Sequence, residues 1–159
     1  MNWPPRWLVT ACVVLLACAG GLGGCASLPA YDSKTDELLT ALQTDTDTYI
    51  GQLKWGYDAT TADNKACAYS SNLKTVQALE TSLGVLSTRL DALYDNQSSQ
   101  KTFGDVKAAY SGFFAAQQAA EKVRADHCIL PVLLATDQTA LDSAVGALLK
   151  LELMKKGGA

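Results

Sequence analysis

The chain has little of what most catalytic and metal-binding sites need. Its 159 residues include one histidine, His127, which excludes metal sites with several imidazoles and proton relays that use a second one. Charged residues make up 18% of the chain, and its 13 basic and 16 acidic side chains occur in ones and twos. No basic run could neutralise a row of phosphates, so we expect no nucleic-acid partner.

The remaining patterns that suggest chemistry are weak, and we expect no catalytic residue, cofactor or metal. His127 stands beside Cys128, but adjacent residues rarely face the same way on a helix, and a helix-end histidine is the simpler interpretation. Asp45 and Asp47 are two residues apart, so they point to different sides of a helix and fit a solvated surface. The glycines at 20–24 are not followed by Lys-Ser or Lys-Thr, as a phosphate-binding loop would be.

The N-terminus has the features of a targeting segment. Arg6 is the only charged residue in 1–24, and the apolar run 7–19 is too short to cross about 30 Å of hydrocarbon comfortably. If the run is extended through the glycines, a single membrane span is the competing interpretation. The next residues are Leu22-Gly23-Gly24-Cys25, a branched apolar residue and two small residues before a cysteine.

This stretch resembles the lipobox of bacterial lipoprotein precursors. The resemblance implies that 1–24 is a cleaved signal peptide, that Cys25 carries the lipid, and that 25–31 is a short tether before a domain at 32–159. An uncleaved anchor or an ordinary secretion signal remains the alternative. Ala26 stands where Asp would retain such a protein in the inner membrane. The resemblance therefore implies a lipid anchor on the periplasmic face of the outer membrane.

Only two of the five cysteines remain after this processing. Cys12 and Cys18 leave with the signal peptide, and Cys25 takes the lipid. In an oxidising compartment Cys67 and Cys128 are expected to form a disulfide, with two buried free thiols as the alternative.

The mature chain reads as helical throughout. Apolar residues recur at steps of three and four over roughly 33–57, from Tyr69 to Leu93, from Phe103 to Val123 and from Leu141 to Met154. Asp32 or Ser33 can cap the first helix, and Thr136 or Asp137 the fourth; Pro131 should end the third near His127. No strand-like alternation is present. We predict an all-α fold, an antiparallel up-down four-helix bundle.

The cysteine positions give an independent check on this fold. Residues 67 and 128 are equidistant from the predicted turn at 96–99. Residues equidistant from the turn of an antiparallel hairpin lie side by side, so Cys67 in the second helix should meet Cys128 late in the third.

Trp55 and Tyr57 form the one candidate partner contact. Trp55 lies off the apolar stripe of the first helix, and Tyr57 near its end. Trp55 either folds back over the second helix as a cap on the core or stays exposed for binding.

Two classes of function remain. The first, which we favour, is a non-catalytic lipid-anchored binding or structural module with an envelope protein partner, and an inhibitor or exclusion protein would look the same in sequence. The second is an envelope enzyme whose site uses only carboxylates and hydroxyls. No polar cluster at motif spacing supports it.

Overall fold

The computed structural model describes residues 30–58, 60 and 65–157. These residues form four α-helices, α1 (Ser33–Trp55), α2 (Leu73–Ala92), α3 (Gln97–Val123) and α4 (Pro131–Gly157). Two 3-10 turns, Lys65–Cys67 and Ser70–Asn72, precede α2. No strand occurs in the described part of the chain, which confirms the predicted all-α class.

The first helix begins where its local chemistry predicts. The Asp32 carboxylate accepts a hydrogen bond of 3.1 Å from the backbone N–H of Thr35, which satisfies one of the donors left open at a helix N-terminus. The helix ends at Trp55, two residues before the predicted end. Gly56 follows as the C-cap and donates its backbone N–H to the carbonyl of Gln52.

The predicted second helix is too long. Its apolar spacing extends from Tyr69 to Leu93, but α2 has 20 residues and begins at Leu73. The preceding residues turn in 3-10 geometry, and the Asn72 side chain donates hydrogen bonds to the carbonyls of Ala66 and Ala68. Cys67 therefore lies in a 3-10 turn and not in a helix.

The connection between α3 and α4 also differs from the prediction. The third helix ends at Val123, short of His127, whose φ of 60° is incompatible with a continued right-handed helix. Cys128 consequently lies in the loop. The fourth helix begins at Pro131, earlier than the predicted caps Thr136 and Asp137, because a proline in the first helical position has no backbone N–H to leave unpaired.

One hydrophobic core joins the four helices. Helix α1 packs on α2 and α4, and α3 packs on the same two helices. The predicted apolar stripes supply most of the core, including Leu39, Leu42, Tyr49, Val76, Leu86, Phe103, Val106, Tyr110, Leu141, Val145 and Leu148. Val123 is an exception and is 81% exposed. Four small residues of α3 at steps of three and four are also exposed, so none of the described helices packs against them: Ala108, Gly112, Ala115 and Ala119.

Candidate functional site

Trp55 is the last residue of α1 and is 92% exposed. An indole normally buries most of its surface when it packs on a core. The interpretation of Trp55 as a cap on the core over the second helix is therefore wrong. The side chain instead presents a large apolar surface to whatever lies outside the molecule.

The turn after Trp55 is held tightly against the first 3-10 turn. A Cβ placed on Gly56 would lie 3.1 Å from the Cβ of Ala66, so the backbone approaches here more closely than another residue would comfortably permit. Tyr57 is half-buried and packs against the hydrophobic core. Trp55 and Tyr57 are thus only two residues apart in the chain, but Trp55 faces outward and Tyr57 faces inward.

The two cysteines predicted to pair lie at disulfide distance at this same end of the molecule. Their Cα atoms are 5.5 Å apart, within the range that a disulfide needs. The Asp126 carboxylate beside them accepts two hydrogen bonds from Arg124 and one from the backbone N–H of Cys128. The Arg124 guanidinium lowers the pKa of Asp126. We define residues 55–57, 65–72 and 121–130 as the tip.

An apolar groove borders the tip between the end of α3 and the start of α4. It has a volume of about 420 Å³ and is lined by Ala116, Ala119, Ala120, Val123, Arg124, Ile129, Leu130, Leu133, Thr136 and Asp137. Val132 and Leu133 are also well exposed. Burial raises the pKa of Asp137 above its ordinary value. The surface bordering the tip therefore adds Val132 and Leu133 to the exposed apolar side chains of the tip itself, Trp55 and Val123.

Two of the weaker sequence candidates, His127 and Asp47, have hydrogen-bond partners. The Nδ1 atom of His127 lies 2.9 Å from the carbonyl oxygen of Glu121, at the end of α3. Asp47 accepts a hydrogen bond of 3.0 Å from Gln138, whereas Asp45 lines a groove between α1 and α2. Within the part of the chain that the structure describes, no group of three or more His, Cys, Asp or Glu side chains is placed to hold a metal ion.

The most concentrated polar chemistry lies far from the tip, where α3 begins and α4 ends. The Lys155 ammonium donates hydrogen bonds of 2.5, 2.7 and 2.8 Å to Asn96, Ser99 and Glu152. Ser99 and Glu152 are 0% exposed, and Glu152 Oε2 has no hydrogen-bond partner among the described residues. A hydroxyl beside a lysine could form a nucleophile and its base. The Ser99 hydroxyl is fully buried, however, so a substrate in solution cannot reach it in this structure.

Sequence reasoning missed this cluster, although a signal existed. Glu152 and Lys155 continue the spacing of Val145 and Leu148, so both fall on the buried stripe of α4. A charged pair on an apolar stripe predicts a buried ion pair.

Two further buried hydrogen bonds cross the core between α1 and α3. The Tyr49 hydroxyl donates a hydrogen bond of 2.5 Å to Gln117, and Thr46 shares one of 2.5 Å with the Tyr110 hydroxyl. Burial raises the pKa of Tyr110 to about 12 and that of Tyr49 further. Both phenols therefore stay protonated and act as fixed hydrogen-bonding groups.

The comparisons with known proteins add no family or relative. No family model, no curated protein and no solved structure matches the chain. The candidate lipidation site, Cys25, lies outside the described residues. Among those residues, none of the helices has the length and apolar character needed to cross a membrane.

Proposed function

We propose that the protein is a lipid-anchored, non-catalytic binding or structural module on the periplasmic face of the outer membrane, and that its tip contacts an envelope protein. The exposed indole of Trp55 carries the proposal. Tryptophan is enriched among residues that dominate protein interfaces. The close approach of Gly56 to Ala66 supports a rigid placement of this side chain.

The proposed arrangement of the helices is the antiparallel up-down bundle. Two side-chain pairs support it because each joins the start of one helix to the end of another: Asp32 with Arg89, and Ser99 with Glu152. The Cys67–Cys128 pair adds support, since it joins the turn before α2 to the loop after α3. In this topology the tether enters at the end opposite the tip. Trp55 would then point away from the membrane.

The proposed anchor keeps the whole domain close to the membrane. The seven residues from Cys25 to Tyr31 reach at most about 25 Å when extended. The 27 residues of α3 span about 40 Å. The distance between the tip and the membrane would then be set mainly by the length of the bundle and not by a long linker. Such a fixed distance suits a partner that is itself held at the membrane.

The proposal that the protein is not an enzyme rests on the location of its polar groups. The cluster that contains Ser99, Glu152 and Lys155 is buried. The polar groups at the tip, such as Arg124 and Asp126, are paired with each other. Neither set offers a reactive group to a substrate.

The experiment is affinity purification of the tagged full-length protein from envelopes, followed by quantitative mass spectrometry. We compare wild type, Trp55→Ala and Tyr94→Ala, because Tyr94 is 94% exposed and follows the end of α2, away from Trp55. A partner should be depleted at least tenfold by Trp55→Ala and retained by Tyr94→Ala. An unchanged set of proteins with Trp55→Ala would contradict the proposal.

A further inference from the structure

A second apolar groove lies at the end opposite the tip, between the start of α1 and the end of α2. It has a volume of about 850 Å³, and Lys34 and Leu38 line its α1 side. The α2 side is formed by Thr81, Gly84, Val85, Thr88, Arg89, Ala92 and Leu93. Val85 is about half exposed, and nothing lies within 4 Å of a Cβ built on Gly84. The groove is therefore open and has an apolar floor.

The chain enters the domain at the edge of this groove. Asp32, the N-cap of α1, accepts two hydrogen bonds of 2.6 Å from the Arg89 guanidinium, and Arg89 is one of the residues that line the groove. The first described residue, Ala30, is two residues before Asp32. Whatever precedes Ala30 thus starts beside the groove.

We infer that residues 26–29 occupy this groove, with Leu28 as the side chain that docks. Four residues reach about 13 Å when extended, which is enough to enter a groove that begins at Lys34. Asp32 is extended, with φ −120° and ψ 103°. Successive side chains of an extended chain alternate, so a continuation places Leu28 on the same side as Asp32. Pro29 favours that extended conformation at Leu28.

Docking in the groove would give the tether a structural role besides that of a linker. A tether held in the groove fixes the orientation of the domain relative to the point where the chain leaves it. It also covers the apolar floor formed by Leu38, Val85 and Leu93, which would otherwise face water. The inference does not depend on lipid at Cys25, because only residues of the chain itself make the contact.

Disulfide trapping in the full-length protein tests the inference. Ser27 would point away from the floor of the groove when Leu28 docks, so Ser27→Cys is combined with Thr88→Cys, an exposed residue at the edge of the groove. This pair leaves Leu28 and the apolar floor unchanged. Envelopes are oxidised with copper phenanthroline, remaining thiols are alkylated, and the linked peptides are quantified by mass spectrometry. The control pair joins Ser27→Cys to Ser98→Cys, since Ser98 is exposed on the first turn of α3.

We expect the 27–88 link to exceed the 27–98 link at least tenfold. Adding Gly84→Leu, which fills the groove without a clash at its Cβ, should lower the 27–88 link at least fivefold. Gly112→Leu, an equally open helical glycine on α3, should leave it unchanged. Leu28→Ser should lower it as Gly84→Leu does.

Several results would overturn the inference. Equal yields for the two pairs, or a 27–88 link that Gly84→Leu does not reduce, would mean that the tether does not dock in the groove. A 27–88 link found in a covalent dimer would assign the groove to a second copy. The same digest reports whether Cys25 is alkylated, so a failure of the lipidation proposal is read separately.

Discussion

The Arg89 guanidinium and the Asp32 carboxylate are joined by two hydrogen bonds of 2.6 Å, between the end of α2 and the residue that caps α1. Asp32 therefore serves two elements at once. Its carboxylate accepts hydrogen bonds from Thr35 in the first turn of α1 and from Arg89 of α2, 57 residues further along the chain. The hydrogen bonds from Arg89 and Thr35 hold the pKa of Asp32 well below its usual value.

Asp32→Ala should lower the free energy of unfolding by about 1–2 kcal/mol. The change removes a helix cap, worth about 1 kcal/mol, and an ion pair that is partly exposed and contributes less. Asp32→Asn is the matched control, since asparagine keeps the cap and loses only the charge. Urea denaturation measures the free energy of unfolding of wild type and of both variants. Equal stability of Asp32→Ala and wild type would contradict the role of the cap.

The contribution of the Asp32 charge should depend on pH with a defined sign. Because the folded pKa lies below the usual 3.8, the stabilisation is fully present above about pH 4 and is lost as the pH falls through the folded pKa. The stability difference between wild type and Asp32→Asn should therefore shrink on acidification below that point. A difference that stays constant from pH 7 to pH 2 would mean that the ion pair contributes nothing.

The buried pair of Lys155 and Glu152 should tolerate joint replacement better than single replacement. Lys155→Met leaves the Glu152 carboxylate without its cation in the protein interior, and we expect a loss of about 3–5 kcal/mol. The double variant Glu152→Leu with Lys155→Met removes both charges and should be more stable than Lys155→Met alone. Denaturation curves give the free energies of unfolding of the two variants for this comparison. A double variant that is the less stable of the two would contradict this expectation, because it would mean that the Glu152 carboxylate stabilises the fold even without Lys155, through its hydrogen bond from Ser99.

The cysteine pair makes a prediction about thiols and stability. Unreduced, denatured protein should show no alkylation at Cys67 or Cys128, and reduction should lower the free energy of unfolding by about 4 kcal/mol for a sequence separation of 61. Peptide mapping after alkylation measures the first effect and denaturation with and without reductant the second. Alkylation of both residues before reduction would contradict the disulfide.

The anchor is tested at Cys25. Cys25→Ser should abolish labelling with radioactive palmitate and leave unprocessed precursor in the inner membrane, because serine has no sulfur to carry the thioether lipid. Leu28→Ser serves as a control, since it leaves the lipobox intact and should label normally. Normal maturation and labelling of Cys25→Ser would contradict the lipoprotein proposal.

Much of the helical structure follows from local patterns, and the exceptions have physical causes. Thr46, Tyr49 and Leu53 are buried as their spacing predicts, and Asp32 caps α1 because its carboxylate reaches a backbone N–H three residues away. Pro131 suggests the end of a helix, but in the structure it is the first residue of α4. The missing N–H that breaks a helix interior has no cost in the first turn, where that N–H would have no partner.

The candidate sites were less accessible to sequence reasoning. The spacing that placed Trp55 off the stripe could not decide between packing and exposure, because that depends on where the next segment of chain turns. In the structure the close contact between Gly56 and Ala66 packs the first 3-10 turn against the end of α1, and Trp55 stays exposed to solvent. The α1/α2 groove depends on which residues of two helices face each other, and a single stripe does not reveal this.

The central claim, that Trp55 contacts a protein partner, is tested most directly in living cells with a photo-cross-linking amino acid at position 55. Position 94 serves as the control, because Tyr94 is equally exposed and follows α2. We expect one cross-linked species specific to position 55, a covalent adduct with a single envelope protein. Adducts that are absent at position 55, or identical at positions 55 and 94, would contradict it.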